Sequence, residues 1–328
     1  MGDGRSTYSE FSSGHGDWTM SDLAELDFVR YLSAKKTVDD RALNRSVWNS
    51  LKREIRDRRS RAPLKVLEIG AGIGTMVERA LEWELFHHAE YLALDAMEEN
   101  ITAASSRVPL IAESVGYRVT SGRNGFRFER EGAEVTLSLT ACDVFDFVDQ
   151  VRDEDRWDLL VANAFLDLVD VPSALPLLLS LLRPGGLFYF TITFDGATIL
   201  EPEVDRELDA RIEFLYHQTM DRRTVRGKQS GDSRTGRHFF GHLKRLGARL
   251  LEAGSSDWVV FAGPDGYRAD EKFFLHFIVD TIASAVGDTR ELGPVALRAW
   301  AEARHSQIDA GELVYVAHQM DFLGRTSQ

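Results

Sequence analysis

The stretch VLEIGAGIGTM, Val66 to Met76, constrains this chain more than any other. A β-branched and apolar run reads as a strand, and then three glycines stand at alternate positions: Gly70, Gly72 and Gly74. Glycine adopts positive φ at little cost and lets the backbone approach a ligand closely. A helix opening near Thr75 would present amides that have no partner within the helix itself. The dinucleotide fingerprint G-x-G-x-x-G requires its third glycine at position 75, where Thr75 stands instead.

Beyond this turn the chain alternates strand and helix patterns. Strands are expected over LKVLEIG, EYLALDA, VTLSLTACD, WDLLVANAF and LFYFTITF. Helices are expected over Thr75–Phe86, over MEENITAASSRV after Asp95, and over VPSALPLLLSLL, where Pro172 suits a first turn. The strands are continuous apolar runs, as in strands covered on both faces. Such alternation implies an α/β fold with a parallel, doubly wound, Rossmann-like sheet. RNGFRFEREGAEVTL suggests a hairpin ahead of the third main strand.

Flanking segments divide the chain into a flexible tail (1–20), N-terminal helices that cap the cofactor or substrate (21–62), a core (63–200) and a C-terminal part with a substrate-capping insertion (201–328). In the last part, a long polar segment from Glu201 to Gly236 precedes an expected helix, FFGHLKRLGARLLEAG. A strand DWVVFAG, two helical stretches (DEKFFLHFIVDTIASAV and VALRAWAEARHSQID) and a final strand ELVYVAHQMDFLG follow.

Composition narrows the function classes. A net charge of −13 over 328 residues disfavours non-specific binding to nucleic acid or anionic membrane. A single cysteine, Cys142, excludes an internal disulfide framework and any multi-cysteine metal site. No signal-peptide pattern is visible, and the longest apolar runs are short for a membrane span. A cytoplasmic protein, monomer or homodimer, is the expectation.

Carboxylates mark three strand ends: Glu68 before the first glycine, Asp95 after the second strand and Asp143 after the third. With these in order the chain resembles the class I S-adenosylmethionine-dependent methyltransferases, over about Leu64 to Phe194, and LLRPGGLFYF is similar to their signature before the fifth strand. The resemblance implies seven mostly parallel strands with an antiparallel last one. It further implies S-adenosyl-L-methionine as cofactor, S-adenosyl-L-homocysteine as product, and no metal. Carried over residue by residue, Glu68, Gly70, Ala71, Gly72, Gly74 and Thr75 hold the methionyl part, and Asp95 with Ala96 clamps the ribose. Cys142, Asp143 and Val144 form the adenine site, and Asn163, Ala164 and Phe165 lie under the methyl-transfer position. Arg41, with Lys36 and Asn44 as alternatives, is expected at the methionine carboxylate.

The acceptor is less legible. NAFLDL lacks the prolines of the amino-methylating D/N-P-P-Y/F motif, and Cys142 lies at the adenine site rather than where a nucleophile is needed. Asp167, Asp170 and Asp195 are expected to cap helices rather than bind metal. His217 with Tyr216 is the preferred base pair, since histidine titrates near neutral pH. Arg234 and Arg237, in a locally basic segment with Gly227, Gly231 and Gly236, could form a mobile lid that grips an anionic group. His238, Trp258 and His276 are further substrate candidates. The leading expectation is methyl transfer to an O or N atom of a small molecule. The alternatives are an RNA methyltransferase that uses the basic segments 52–61 and 222–237, or a non-catalytic cofactor-binding scaffold.

Overall fold

The computed structural model describes residues 20–58, 62–123, 125–225 and 228–327, so the expected tail lies almost wholly outside it. Two helices come first, α1 (Met20–Ala42) and α2 (Arg45–Arg56). Asn44 separates them. Its Oδ1 accepts from the Ser46 and Val47 amides at 3.0 and 3.2 Å, which supplies partners to the open end of α2.

The core follows as β1 (Leu64–Ile69), α3 (Thr75–Glu82), β2 (His88–Asp95), α4 (Glu98–Ser114), β3 (Arg118–Gly122), β4 (Gly125–Arg130), β5 (Ala133–Ala141), α5 (Val144–Val148), β6 (Trp157–Asn163), α6 (Val171–Ser180) and β7 (Leu182–Glu201). The remainder is α7 (Arg206–Asp221), a short β8–β9 pair (Thr224–Val225 and Lys228–Gln229), α8 (Thr235–Arg245), β10 (Arg249–Ser255), β11 (Trp258–Val260), α9 (Glu271–Gly287), α10 (Pro294–Ala310) and β12 (Val314–Arg325).

The main sheet runs β10-β12-β7-β6-β1-β2-β5-β4-β3, with β11 paired to β12. Its five central strands are parallel, and β12 enters antiparallel to β7. The architecture is thus α/β, doubly wound and Rossmann-like. The hairpin expected at RNGFRFEREGAEVTL is β4 with β5, and the strand expected at DWVVFAG holds β11; the unexpected strands are β3 at one edge and β10 at the other. Strand alternation sends Leu64 and Val66 into one apolar layer with α1 to α4, and Leu67 and Ile69 into the opposite layer with α6 and α8. Among the described residues, no helix is long and apolar enough to cross a membrane.

Two expectations in the C-terminal part are corrected. The polar stretch after Glu201 contains α7, whose Ile212 and Leu215 are buried and whose N-cap Asp205 accepts from the Leu208 amide at 2.9 Å. The expected helix FFGHLKRLGARLLEAG ends early. Gly247, at φ +66°, breaks it, and RLLEAGS pairs antiparallel with β12 as β10. Pairing with an existing sheet edge outweighs helical propensity over so short a run.

A bulge interrupts β7. Phe190 pairs with Phe322 and Thr193 with Met320, so Thr191 and Ile192 together face Asp321. Ile192 takes φ +54°, a strained setting for a β-branched residue. Its amide donates to Asp321 Oδ1 at 2.9 Å, while Asp321 Oδ2 accepts from the Asn44 amide at 2.8 Å. The extra residue changes the phase of the strand: Phe188 and Phe190 pack in the α6–α8 layer, whereas Ile192 and Phe194 pack with the α1 layer.

Candidate active site

The glycine turn lies where the ends of β1 and β2 meet the start of α3. Gly70, Gly72 and Gly74 all have positive φ, at +63°, +53° and +82°. A Cβ at Gly74 would come within 2.7 Å of Val108 and 3.2 Å of Ala104, so this glycine also lets α3 lie close against α4. Gly74→Ala should therefore cost about 2–4 kcal/mol, combining left-handed strain with overpacking. Urea unfolding checks this, and a variant within 0.5 kcal/mol of wild type would contradict it.

Asp95 closes the turn from the neighbouring strand. Its Oδ2 accepts from the Gly72 amide at 2.8 Å, and its Oδ1 accepts from the Met97 amide at 2.9 Å and from Asn100 Nδ2 at 3.0 Å. A carboxylate offers about four lone-pair positions. One therefore stays open on Oδ2. The buried Asn100 Oδ1 has no partner among the described residues. Asp95 and the Asn100 amide bonded to it thus each keep an acceptor position without a donor. Asp143 is adjacent, because Ala141 pairs with Asp95. It caps α5, accepting from the Phe145 amide at 2.8 Å, while Cys142 and Val144 flank it.

Glu68 lies beneath the turn, 1% exposed, with the Tyr91 hydroxyl donating to its Oε2 at 2.8 Å. Burial pushes its carboxyl up to about 8, against the pull of the Tyr91 hydrogen bond and Arg79. In the unfolded chain the same group titrates near 4.5. Between these values the folded state keeps a proton that the unfolded state releases, so stability falls as pH rises across that window. Glu68→Gln should therefore gain on wild type from pH 5 to about pH 8 in thermal melts and level off above it. A constant difference between the two proteins would refute the assignment.

Phe165 follows β6, and a Cβ at Gly70 would meet its ring at 2.7 Å. Ala164, just before it, takes φ +52°. Asn163 ends β6; its Oδ1 accepts from Thr191 Oγ1 at 2.8 Å, and its Nδ2 donates to Asp39 Oδ2 at 3.4 Å. Asp39, on α1, is a hub that the sequence did not reveal. Lys35 Nζ donates to its Oδ2 at 2.7 Å and Arg79 Nη2 at 3.4 Å, while Trp258 Nε1 donates to its Oδ1 at 2.8 Å. Arg79 also binds Asp40 through Nε. Leu32 of α1 lies over Gly72, with its Cδ1 3.5 Å from where a Cβ would stand.

The other expected residues separate. Arg41 is engaged by the buried Glu271 of α9, and Lys36 by Asp40 and Glu82. Asn44 is occupied with its cap and with Ser255. His217 and Tyr216 sit on α7; His217 Nε2 lies 3.0 Å from Thr198 Oγ1, and its ring is edge-on to Phe194 at 5.4 Å. Burial lowers the His217 pKa, against the opposing pull of Glu213 and Asp221. Trp258 reaches the site through Asp39. His276 does not: its Nδ1 faces His305 Nδ1 at 2.7 Å between α9 and α10.

Arg234, Arg237 and His238 line a groove of about 1110 Å³ beside the start of α6, together with Asp170, Asp221 and Asp232. Arg237 Nε donates to Asp195 Oδ1 at 2.9 Å, and His238 Nδ1 meets Asp232 Oδ2 at 2.5 Å. Gly227 lies outside the described residues. Gly231 and Gly236 are tightly packed: a Cβ would stand 2.9 Å from Met220 O and 2.7 Å from Asp195 Cβ, respectively. Several cations of the two basic segments are paired with acids, Arg58 with Asp158 and Arg222 with Glu291. Asp170 stands at the N-cap position of α6 but its side chain makes no cap hydrogen bond there, whereas Asp195 accepts from the Arg237 amide in the first turn of α8. Asp167 caps no helix among the described residues; the backbone of Asp167 and Phe194 bonds its carboxyl, while its buried Oδ1 has no partner among the described residues. No cluster of metal-ligating side chains occurs among the described residues.

No family model matches the chain, and no curated protein matches its sequence. Solved structures are similar at low identity. A proposed type II methyltransferase from Anaeromyxobacter dehalogenans is 16% identical, with 87% of this chain and 97% of that chain covered and a TM-score of 0.47. Phosphoethanolamine N-methyltransferase 2 from Haemonchus contortus, solved with S-adenosylhomocysteine, is 13% identical, with 93% and 60% covered and a TM-score of 0.40. The cyclase SpnF is 12% identical, with 85% and 81% covered and a TM-score of 0.38.

Proposed function

We propose that this chain is an S-adenosylmethionine-dependent methyltransferase acting on an O or N atom of a small molecule. The observation that carries the reading is the pair of open acceptors at the glycine turn: one lone-pair position on Asp95 Oδ2 and the orphaned Asn100 Oδ1. A ribose offers two adjacent hydroxyl donors, and a buried acceptor without a donor is costly. The turn itself, free of side chains at Gly70 and Gly72, suits the methionyl part, and the end of β5 around Asp143 suits the adenine.

The bound donor supplies an electrophilic methyl carbon on sulfur. What the protein must add is modest: alignment of the nucleophile, exclusion of water, and a place for the nucleophile's proton. Asn163, fixed between Thr191 and Asp39, and Phe165, set against the turn, give this end of β6 a rigid floor. His217, beside Tyr216 and 3.0 Å from Thr198 Oγ1 through its Nε2, is the residue assigned to take up that proton. The acid-paired cations of the basic segments favour a small acceptor over nucleic acid.

The test is direct binding. S-adenosylhomocysteine should raise the melting temperature of the wild-type protein in a dose-dependent way, whereas NAD⁺ should not. A protein indifferent to S-adenosylmethionine and S-adenosylhomocysteine alike would end the proposal.

A further inference from the structure

Two histidines that the proposed reaction does not use face each other between α9 and α10. His276 Nδ1 lies 2.7 Å from His305 Nδ1, and the rings are stacked at 4.9 Å with 22° between their planes. Each outer nitrogen meets a carboxylate of the opposite helix. His305 Nε2 is 2.9 Å from Asp280 Oδ1, and His276 Nε2 is 3.5 Å from Asp309 Oδ1. His276 and Asp280 are one turn apart on α9, as are His305 and Asp309 on α10, so the brace is crossed. Lys272 Nζ completes it, donating to Asp309 Oδ1 at 2.8 Å.

These contacts fix where the ring protons sit. The Lys272 hydrogen bond holds the Asp309 carboxyl below its usual range, so this group accepts. A carboxylate cannot donate, and the Nε2 atom that faces one therefore carries the hydrogen. A neutral imidazole protonated at Nε2 keeps a bare lone pair on Nδ1. Two such lone pairs point at each other across 2.7 Å, and they repel unless something positive lies between them. A proton fills that place only by making one ring cationic. Burial of His276, and next the charge of His305, oppose this, against the pull of Asp309 and Asp280. Each ring is 28% exposed, open enough to admit an ion from solvent.

We infer that His276 and His305 form a zinc site, in which the Nδ1 atoms of both rings bind one Zn²⁺ ion and staple α9 to α10. Zinc takes imidazole nitrogen at about 2.0–2.1 Å, which sets two ligands of one tetrahedral ion roughly 3.3 Å apart. A small rotation of the rings supplies the difference. The flanking carboxylates match what a metal-bound histidine ordinarily has, an acceptor on its other nitrogen that fixes the tautomer and orients the ring. No group of three ligating side chains occurs among the described residues, so water completes the coordination. Where the pair holds a proton, that proton leaves to solvent as the two Zn–N bonds form. His238 and His242 are also one turn apart, on α8, but their surroundings repel a cation. Arg245 Nη2 lies 2.6 Å from His242 Nδ1, and Arg234 and Arg237 line the same groove. The zinc site is independent of the methyltransferase reading.

Calorimetric titration of Zn²⁺ into the untagged, chelator-treated full chain tests it, with Mg²⁺ as the control cation. Wild type should bind one Zn²⁺ per chain and be indifferent to Mg²⁺, which prefers oxygen ligands. Asp280→Asn should weaken zinc binding by about tenfold, as loss of an outer carboxylate does, and His276→Phe and His305→Phe should each weaken it further. His238→Ala should bind as wild type does. Saturating Zn²⁺ should raise the melting temperature of wild type and of neither phenylalanine variant, because an ion held only by the folded chain stabilises it. Melts without zinc show that the variants fold. Absence of zinc binding to wild type, unchanged affinity in Asp280→Asn, His276→Phe or His305→Phe, or loss of binding in His238→Ala would each overturn the inference.

Discussion

Asp95→Ala should lose at least about hundredfold in affinity for S-adenosylhomocysteine. The carboxylate is asked to do two things at once. It holds the turn through the Gly72 amide and fixes Asn100, and its remaining lone pair is the proposed partner of a ribose hydroxyl. Alanine removes that charge-assisted bond, worth roughly 1.5–3 kcal/mol, and releases Asn100 and the turn besides. A loss of about 2.7 kcal/mol already equals the hundredfold. Calorimetric titration measures it. Asn100→Leu separates the contributions, because it leaves the Gly72 contact with Asp95 in place; it should weaken binding by about tenfold. Wild-type affinity in both variants would place the ribose elsewhere and leave the turn without its assigned role.

The second large effect is on stability. Asp39 is 1% exposed, and both Lys35 and Arg79 beside it are buried. Asp39→Ala leaves the Lys35 ammonium without its carboxylate at 2.7 Å and strips Arg79 and Trp258 of one partner each. Breaking a buried pair from one side costs about 3–5 kcal/mol, since the remaining charge stays desolvated. The urea midpoint should fall accordingly at unchanged m-value. Removing both ends, as Lys35→Met with Asp39→Leu, should recover most of the loss, because Arg79 keeps Asp40. A single Asp39→Ala variant within 1 kcal/mol of wild type would show that water reaches the cluster in solution.

These two groups also show where sequence reading succeeds and where it stops. The glycine turn, Asp95 and Asp143 were legible because they are local: each sits at the end of a continuous apolar run, and parallel pairing of adjacent strands brings those ends together without further information. The α7 helix was missed because Leu208, Ile212 and Leu215 make only a thin stripe among charges. The β10 strand was misread as helix, since seven residues with one glycine before them carry no decisive period. Asp39 was beyond reach for a different reason. Its partners Asn163 and Trp258 are 124 and 219 positions away, and nothing in the pattern of α1 announces which carboxylate of the pair Asp39–Asp40 turns inward. Arg41 illustrates the converse: its distance from the core suited a cofactor contact, yet the buried Glu271 of α9 takes it.

The bulge in β7 carries a consequence for how this chain tolerates insertion and deletion. Because one surplus residue at Thr191–Ile192 inverts the parity of all that follows, Phe194 looks toward His217 while Asp195 looks toward Arg237 of α8. Removing a single residue there would restore regular pleating and exchange the two, sending a ring to the arginine and a carboxylate to the histidine. Deletion of two residues would keep parity and shorten the reach. The spacing between LLRPGG and Phe194 is therefore a counted length, odd or even, to which both sides of the sheet are answerable.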